Sequence, residues 1–148
     1  MRSAILVFFS LFLWYQVALG QSITYTPAVT LVWDAVTTYD NGTPAIITEY
    51  IVYYSEKSFQ DSTGYWLTPA EAAANRNDIK SLSILGDKSE TIVLNLKPQI
   101  EYYFRLTAID SYKRESAFNI DAAGLDTQVS TVTGDELIIH IRGLRKKE

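Results

Sequence analysis

Cysteine is absent from the 148 residues. That absence excludes disulfide staples, thiolate zinc sites, a cysteine nucleophile and a lipid-modified cysteine behind an export signal. Any fold this chain forms rests on its apolar core. Histidine occurs once, in Ile138-Ile139-His140-Ile141. One imidazole inside an apolar run supplies neither a zinc ligand set nor a placed general base, and His140 reads as a strand residue. Gly42, Gly64, Gly86, Gly124, Gly134 and Gly143 all stand apart, so no Gly-rich loop cradles a phosphate. Basic charge is short as well. Lys and Arg number 13 against 17 Asp and Glu, a formal net charge of −4. Nucleic acid is therefore not an expected partner.

The carboxylates form no pattern with a chemical purpose. Asp34, Glu49, Glu101 and Asp110 read as strand ends or solvent faces, and Asp121, Asp126 and Asp135 lack calcium-loop spacing. We assign no catalytic, cofactor-binding or metal-binding residue, and expect no cofactor and no enzymatic activity. A small hydrolase is the weakest reading, because general acid–base groups are scarce.

Residues 1–20 read as an export signal. Arg2 gives a positive start, Ala4 to Tyr15 is apolar apart from Ser10, and Ala18-Leu19-Gly20 offers small residues at a cleavage site. The run is about twelve residues, short of the roughly 20 that a membrane-spanning helix needs. Cleavage would remove Arg2 alone among the charges, and no later segment is apolar enough to span a bilayer. The expected location is secreted, periplasmic or at the cell surface.

Beyond residue 20 the dominant signal is alternation with a period of two. Ser22–Tyr25 reads as a short edge strand ending at Pro27. In Val29–Asp34, Val29, Leu31 and Trp33 alternate with Thr30, Val32 and Asp34. Ile47–Ser55 is rich in β-branched and aromatic residues, with Tyr50, Val52 and Tyr54 on one face and Ile51 and Tyr53 on the other. Glu90–Leu96 places Ile92, Leu94 and Leu96 on one face. Tyr102–Asp110 places Tyr102, Phe104, Leu106 and Ala108 opposite Tyr103, Arg105, Thr107 and Ile109. Between these lies a less regular stretch, Glu56–Ser89. Within it Thr68-Pro69-Ala70-Glu71 signals a helix of one or two turns and Ser81–Leu85 a short strand. Glu115–Ile120 reads as a further strand. Gln128–Thr133 and Glu136–Arg142 read as two more, joined across Gly134-Asp135 as a hairpin. A basic end, Arg142 to Lys147, reads as a solvated tail.

Three segments carry a resemblance. Val29–Ala35 resembles the second strand of a fibronectin type III domain, with Trp33 as its core tryptophan. Asp40-Asn41-Gly42-Thr43-Pro44, then Ile47 and Tyr50 to Tyr54, resembles that family's following loop and third strand. Leu96-Lys97-Pro98 and Tyr102 to Asp110 resemble its strand E, tyrosine corner and strand F. The resemblance covers about Pro27 to Ile120. It implies an all-β, immunoglobulin-like sandwich of about seven strands, with a short helical insert and a C-terminal hairpin or extension. The divisions are 1–20 signal, 21–123 sandwich domain and 124–148 extension. The implied core holds Trp33, Tyr50, Val52, Tyr54, Leu96, Pro98, Tyr102, Phe104 and Leu106, and the Tyr102 hydroxyl bonds backbone a few residues upstream. Either Glu115–Ile120 or part of the tail supplies the seventh strand.

The expected function is recognition: a protein-binding, adhesion or spacer module in the cell envelope or outside the cell. The candidate contact residues are Tyr65 and Trp66 in the insert, and Tyr112, Lys113 and Arg114 after the strand that ends at Asp110. Exposed aromatics anchor protein interfaces and also stack on sugar rings, so a carbohydrate-binding accessory module is the alternative. Trp66 folding back over the sheet is the structural reading of the same residue.

Overall fold

The computed structural model describes residues 27–39, 41–119, 128–133 and 137–141. The export-signal reading of 1–20 and the first edge strand at Ser22–Tyr25 lie outside them. In chain order the elements are β1 (Val29–Trp33), β2 (Ile47–Ser55), α1 (Pro69–Asn75), β3 (Lys80–Leu85), β4 (Glu90–Val93), β5 (Glu101–Asp110), β6 (Val129–Val132) and β7 (Leu137–Ile141). They form two sheets, of order β4-β1-β7 and β3-β2-β5-β6. All pairings are antiparallel except β1 with β7, which run parallel. Among the described residues the protein is all-β with one short helix.

The sheets share one core. Val29, Leu31, Trp33, Val93 and Ile141 from the smaller sheet meet Tyr50, Val52, Tyr102, Phe104, Leu106 and Ala108 from the larger. Trp33 and Tyr50 pack ring to ring at 5.3 Å, and the Tyr50 hydroxyl accepts from the Val36 backbone N–H at 2.9 Å. Tyr54 is half-buried at the edge of this core, stacked on Phe104. Leu96 closes the core at its lower end. There the Tyr102 hydroxyl accepts from the Lys97 N–H at 3.2 Å and donates to Glu56 Oε1 at 3.3 Å. Burying these apolar faces, at about 25 cal/mol per Å2, is the main stabilising term in a chain without disulfides.

Five expectations need correction. Pro98 is not core: it is exposed, in a turn whose neighbour Gln99 has φ 57°. The alternation at Glu90–Leu96 is inverted. Val93 points into the core opposite Val29, while Ile92 and Leu94 are exposed. Asn95, at φ 59°, then turns the chain so that Leu96 re-enters the core. The tail hairpin does not exist: β6 pairs with β5 in one sheet and β7 pairs with β1 in the other. Strands β6 and β7 accordingly belong one to each sheet rather than to an extension beyond a domain ending at residue 123. Asp110 ends β5 but is fully buried, not solvated.

The fifth correction concerns the last strand, where both candidates contribute. Glu115–Asn119 runs beside the upper half of β5 without forming a regular ladder. Ser116 N–H donates to Ala108 O at 2.8 Å and Asn119 N–H to Leu106 O at 3.1 Å. In return the side chains of Ser116 and Asn119 accept from the N–H groups of Ala108 and Leu106. Side-chain oxygens thus replace backbone carbonyls along the strand edge, which keeps the buried N–H groups paired. β6 then takes the lower half, from Phe104 to Glu101.

Candidate functional site

The second face of the larger sheet determines what the surface can do. Ile51 and Tyr53 of β2 and Tyr103, Arg105 and Thr107 of β5 point away from the main core. A solvated face would be polar, but here a second cluster forms: Tyr53, Phe59, Ala72 and Phe118, with Ile51, Trp66, Leu67, Ile79 and Tyr103 packed on it. The insert between β2 and β3 supplies Phe59, Trp66, Leu67, Ala72 and Ile79.

Local chemistry fixes the insert. Asp61 Oδ1 accepts from the N–H groups of Thr63 and Tyr65, Gly64 takes φ 84°, and Leu67 N–H donates to Phe59 O at 2.9 Å. These close a tight reversal that returns Trp66 to the sheet. Thr68 and Glu71 then form a reciprocal capping box that starts α1, with Pro69 in its first turn. At the base, Arg76 grips Asp78 through Nε at 2.7 Å and Nη2 at 2.6 Å, and also donates to Ser58 O at 3.0 Å. The Arg76 guanidinium, with the Ser55 hydroxyl adding a further hydrogen bond, holds the Asp78 carboxyl well below the usual carboxylate range. Gln128 Oε1 accepts from Phe59 N–H at 2.9 Å and ties the insert to the tail.

Arg105 lies fully buried beneath this layer. Its guanidinium carbon is 4.4 Å from the Phe118 ring centre and 5.0 Å from that of Trp66, and Nη2 donates to Asn119 O at 2.9 Å. Cation–π stacking in a desolvated setting makes it a strut between the insert and the 115–119 segment. Alongside, Glu115 Oε1 accepts from the Tyr53 hydroxyl at 2.8 Å and the Thr107 hydroxyl at 2.7 Å. Burial, reinforced by that carboxylate, pushes the Tyr53 phenol far up.

Between the insert and this segment opens a cleft of about 250 Å3, lined by Gly64, Tyr65, Trp66, Leu67, Thr68, Pro69, Ala117 and Phe118. Tyr65 stands at its rim, 63% exposed, while Trp66 is half-buried. Trp66 therefore does fold back on the sheet, yet one side of it still lines the cleft. Among these lining residues no carboxylate, amine or imidazole occurs, and the Thr68 hydroxyl is engaged with Glu71. The cleft offers rings and apolar surface for stacking and water exclusion.

Tyr112, Lys113 and Arg114 sit elsewhere, on the turn after β5. Buried Asp110 accepts from the N–H groups of Tyr112 and Arg114 at 2.9 Å each, and from the Tyr39 hydroxyl at 3.1 Å. Arg114 pairs with Asp110 at 2.9 Å and lies between the rings of Tyr39 and Tyr112, 5.5 and 5.3 Å from their centres. Asp110 first, then Tyr39, hold the Arg114 guanidinium above its ordinary pKa. Lys113, at φ 63°, completes the turn. Arg114 is thus built into a clip, and Tyr112 is the exposed ring over it. The five expected contact residues fall into two groups, and no residue of the second lines the cleft.

Sequence reasoning missed Phe118 and Arg105. Arg105 stands on the alternate face of β5, where a charge signals solvent. The contrary signal was the apolar surplus of the insert, Phe59, Trp66, Leu67 and Ile79, which needed a face to cover. Among the described residues no group of three His, Asp or Glu side chains could hold a metal ion, and no helix is long and apolar enough to cross a membrane. No family model matches the chain, and neither a curated protein nor a solved structure matches it.

Proposed function

We propose that this chain is a non-enzymatic recognition module, an exported immunoglobulin-like sandwich of the fibronectin type III kind, which binds a protein partner in the cell envelope or outside the cell. The observation that carries the reading is the outer-face cleft. Tyr65 is exposed at its rim, Trp66 and Phe118 form its walls, and no carboxylate, amine or imidazole is among the residues that line it. Protein interfaces concentrate their binding energy in a few such aromatic anchors. Export is supported by the charge and apolar pattern of residues 1–20. The family reading is supported by the three matching segments, by Trp33 in the shared core and by the Tyr102 hydroxyl bonded to the Lys97 N–H.

The test is photo-crosslinking in the native host with the probe at Tyr65, alongside a Tyr65→Ala protein. Because Tyr65 is largely exposed, the substitution should leave stability within about 0.5 kcal/mol of wild type. One enriched protein adduct, with binding of that partner lost in Tyr65→Ala, is the expected result. Saturable, Tyr65-dependent binding on a glycan array without a protein adduct would move the assignment to a carbohydrate-binding module. Turnover of an ester or glycoside panel by the purified protein would overturn the non-enzymatic reading.

A further inference from the structure

We propose that the outer edge of β3 takes an extended segment of a protein partner as an added antiparallel strand. This surface is separate from the cleft, since no β3 residue lines that cleft. β3 stands at the end of the larger sheet, with β2 as its one neighbour. Its register with β2 runs unbroken from Lys80 to Leu85, without a bulge. Six residues make it longer than the edge strands β4 and β6, of four each.

Hydrogen-bond parity decides which β3 groups are open. In an antiparallel pair, opposed residues alternate between exchanging their backbone bonds and exchanging none. Gly86 N–H donates to Thr48 O at 3.0 Å, and steps of two along the same register give Tyr50↔Ile84, Val52↔Leu82 and Tyr54↔Lys80. The bonded set in β3 is therefore Lys80, Leu82 and Ile84. The far side of β2 agrees. Ala108 and Leu106, opposite Tyr50 and Val52, accept from the N–H groups of Ser116 and Asn119 instead, which leaves Tyr50 and Val52 to β3. Ser81, Ser83 and Leu85 thus aim their backbone groups away from the sheet. The Leu85 carbonyl accepts from Lys88 N–H at 3.0 Å. Among the described residues no backbone group outside the ladder pairs with Ser81 or Ser83, and both residues are exposed.

A row of open donors and acceptors at strand spacing fits another extended backbone. Edges are commonly blunted by proline, bulges or charges, whereas β3 has only Lys80, at its start. The side chains define the occupant. Leu82 and Ile84 are half-buried at the margin of the main core, so β-branched apolar residues opposite them extend that core. Ser81 and Ser83 lie on the other face, where the Ser83 hydroxyl donates to Glu49, and they suit small polar residues. Exposed Lys80 favours a carboxylate opposite it.

The probe is the capped peptide Thr-Val-Thr-Val-Thr-Glu. Laid antiparallel, it sets Glu against Lys80, the valines against Leu82 and Ile84, and the threonines against Ser81, Ser83 and Leu85. Titrated into the full chain, it should slow amide exchange at Ser81 and Ser83 by about tenfold or more at saturation. N-methylation of the third peptide residue removes the donor to the Ser83 carbonyl and should abolish the effect. N-methylation of the fourth, whose N–H points away from β3, should preserve it. Ser83→Pro should keep the fold, because that nitrogen makes no ladder bond, and should lose the peptide. Absence of saturable slowing, equal binding by the two N-methylated peptides, or a Ser83→Pro protein that binds as wild type does would overturn strand addition. If Ser83→Pro does not fold, the two N-methylated peptides decide alone. Slow exchange at Ser81 and Ser83 that grows with protein concentration without peptide would also overturn it, since the edge would then pair with a second copy.

Discussion

Gly86→Ala should be among the costliest single-methyl additions in the protein. Gly86 follows β3 and opens the turn toward β4. A Cβ placed there would stand 2.2 Å from the Ile47 carbonyl oxygen, 2.6 Å from its carbon and 2.7 Å from the Thr48 carbonyl carbon. These are backbone atoms, and they cannot swing aside as a side chain would. They also sit where the register of β2 against β5 shifts, between Ile47 and Glu49. The Thr48 hydroxyl donates to the carbonyls of Ile109 and Asp110, which fastens this irregularity to β5. Gly86 N–H in turn donates to Thr48 O at 3.0 Å. Relief of the clash must therefore lift the turn off β2 and lose that bond.

Overpacking alone costs about 1–3 kcal/mol, and the lost hydrogen bond adds about 1 kcal/mol. We expect a loss of about 3 kcal/mol, which for a chain of this size lowers the melting midpoint by roughly 10 °C. Gly42→Ala is the control. Its φ is 82°, but nothing lies within 4 Å of the added methyl, so only the backbone conformation is penalised, by about 1 kcal/mol. Urea unfolding followed by tryptophan fluorescence measures both. A Gly86→Ala protein within about 1 kcal/mol of wild type, or no worse than Gly42→Ala, would refute the close approach of this turn to β2.

Two further predictions probe the corner and the insert. Tyr102→Phe removes the hydroxyl that joins Lys97 N–H to Glu56 and should cost about 1 kcal/mol by chemical denaturation; an unchanged midpoint would mean the hydroxyl does not pin the corner. Asp78→Asn breaks the charged grip of Arg76 on the insert. With the carboxylate side chain about a third open to water, the loss at neutral pH should be about 1 kcal/mol, well below that of a buried pair. The Asp78 pKa is depressed in the fold, by Arg76 first and Ser55 next. Its contribution is therefore present above the unfolded aspartate value of about 4 and fades as pH falls below it. Asp78→Asn should flatten the acid side of the stability profile, and identical slopes for the two proteins between neutral and acid pH would contradict the assignment.

What could be read from the sequence was what depends on near neighbours. Period-2 alternation located β1, β2 and β5 and assigned their core faces, because every second residue must share a face. Thr68-Pro69-Ala70-Glu71 located α1 because a capping box lies wholly within four residues. The errors arose where a distant segment decided the outcome. Ile92, Leu94 and Leu96 carry an unbroken apolar rhythm, yet pairing with β1 turns Val93 inward, and the positive φ at Asn95 resets the face before Leu96. Gly134-Asp135 has the composition of a hairpin turn, but composition cannot state that the next strand belongs to the opposite sheet.

The surplus of aromatic residues has the same explanation, and it bears on the site. Trp66 and Tyr103 exceed what the main core between the sheets can hold, and the sequence left both exposure and folding back over the sheet open for Trp66. The insert changes this by giving the larger sheet a second buried layer, in which Phe59 and Phe118 pack edge to face at 5.6 Å and Arg105 lies against the rings of Trp66 and Phe118. That layer occupies most of the aromatic surplus and leaves Tyr65 and one side of Trp66 open at its margin. An aromatic pair held by a capped helix, an Asx turn and a buried cation is preorganised, and rigid anchors lose little conformational entropy when they bind. The same elements that stabilise the insert therefore hold the aromatic rim rigid, whereas Arg114, clamped by Asp110 and two tyrosines, is consumed by its own turn.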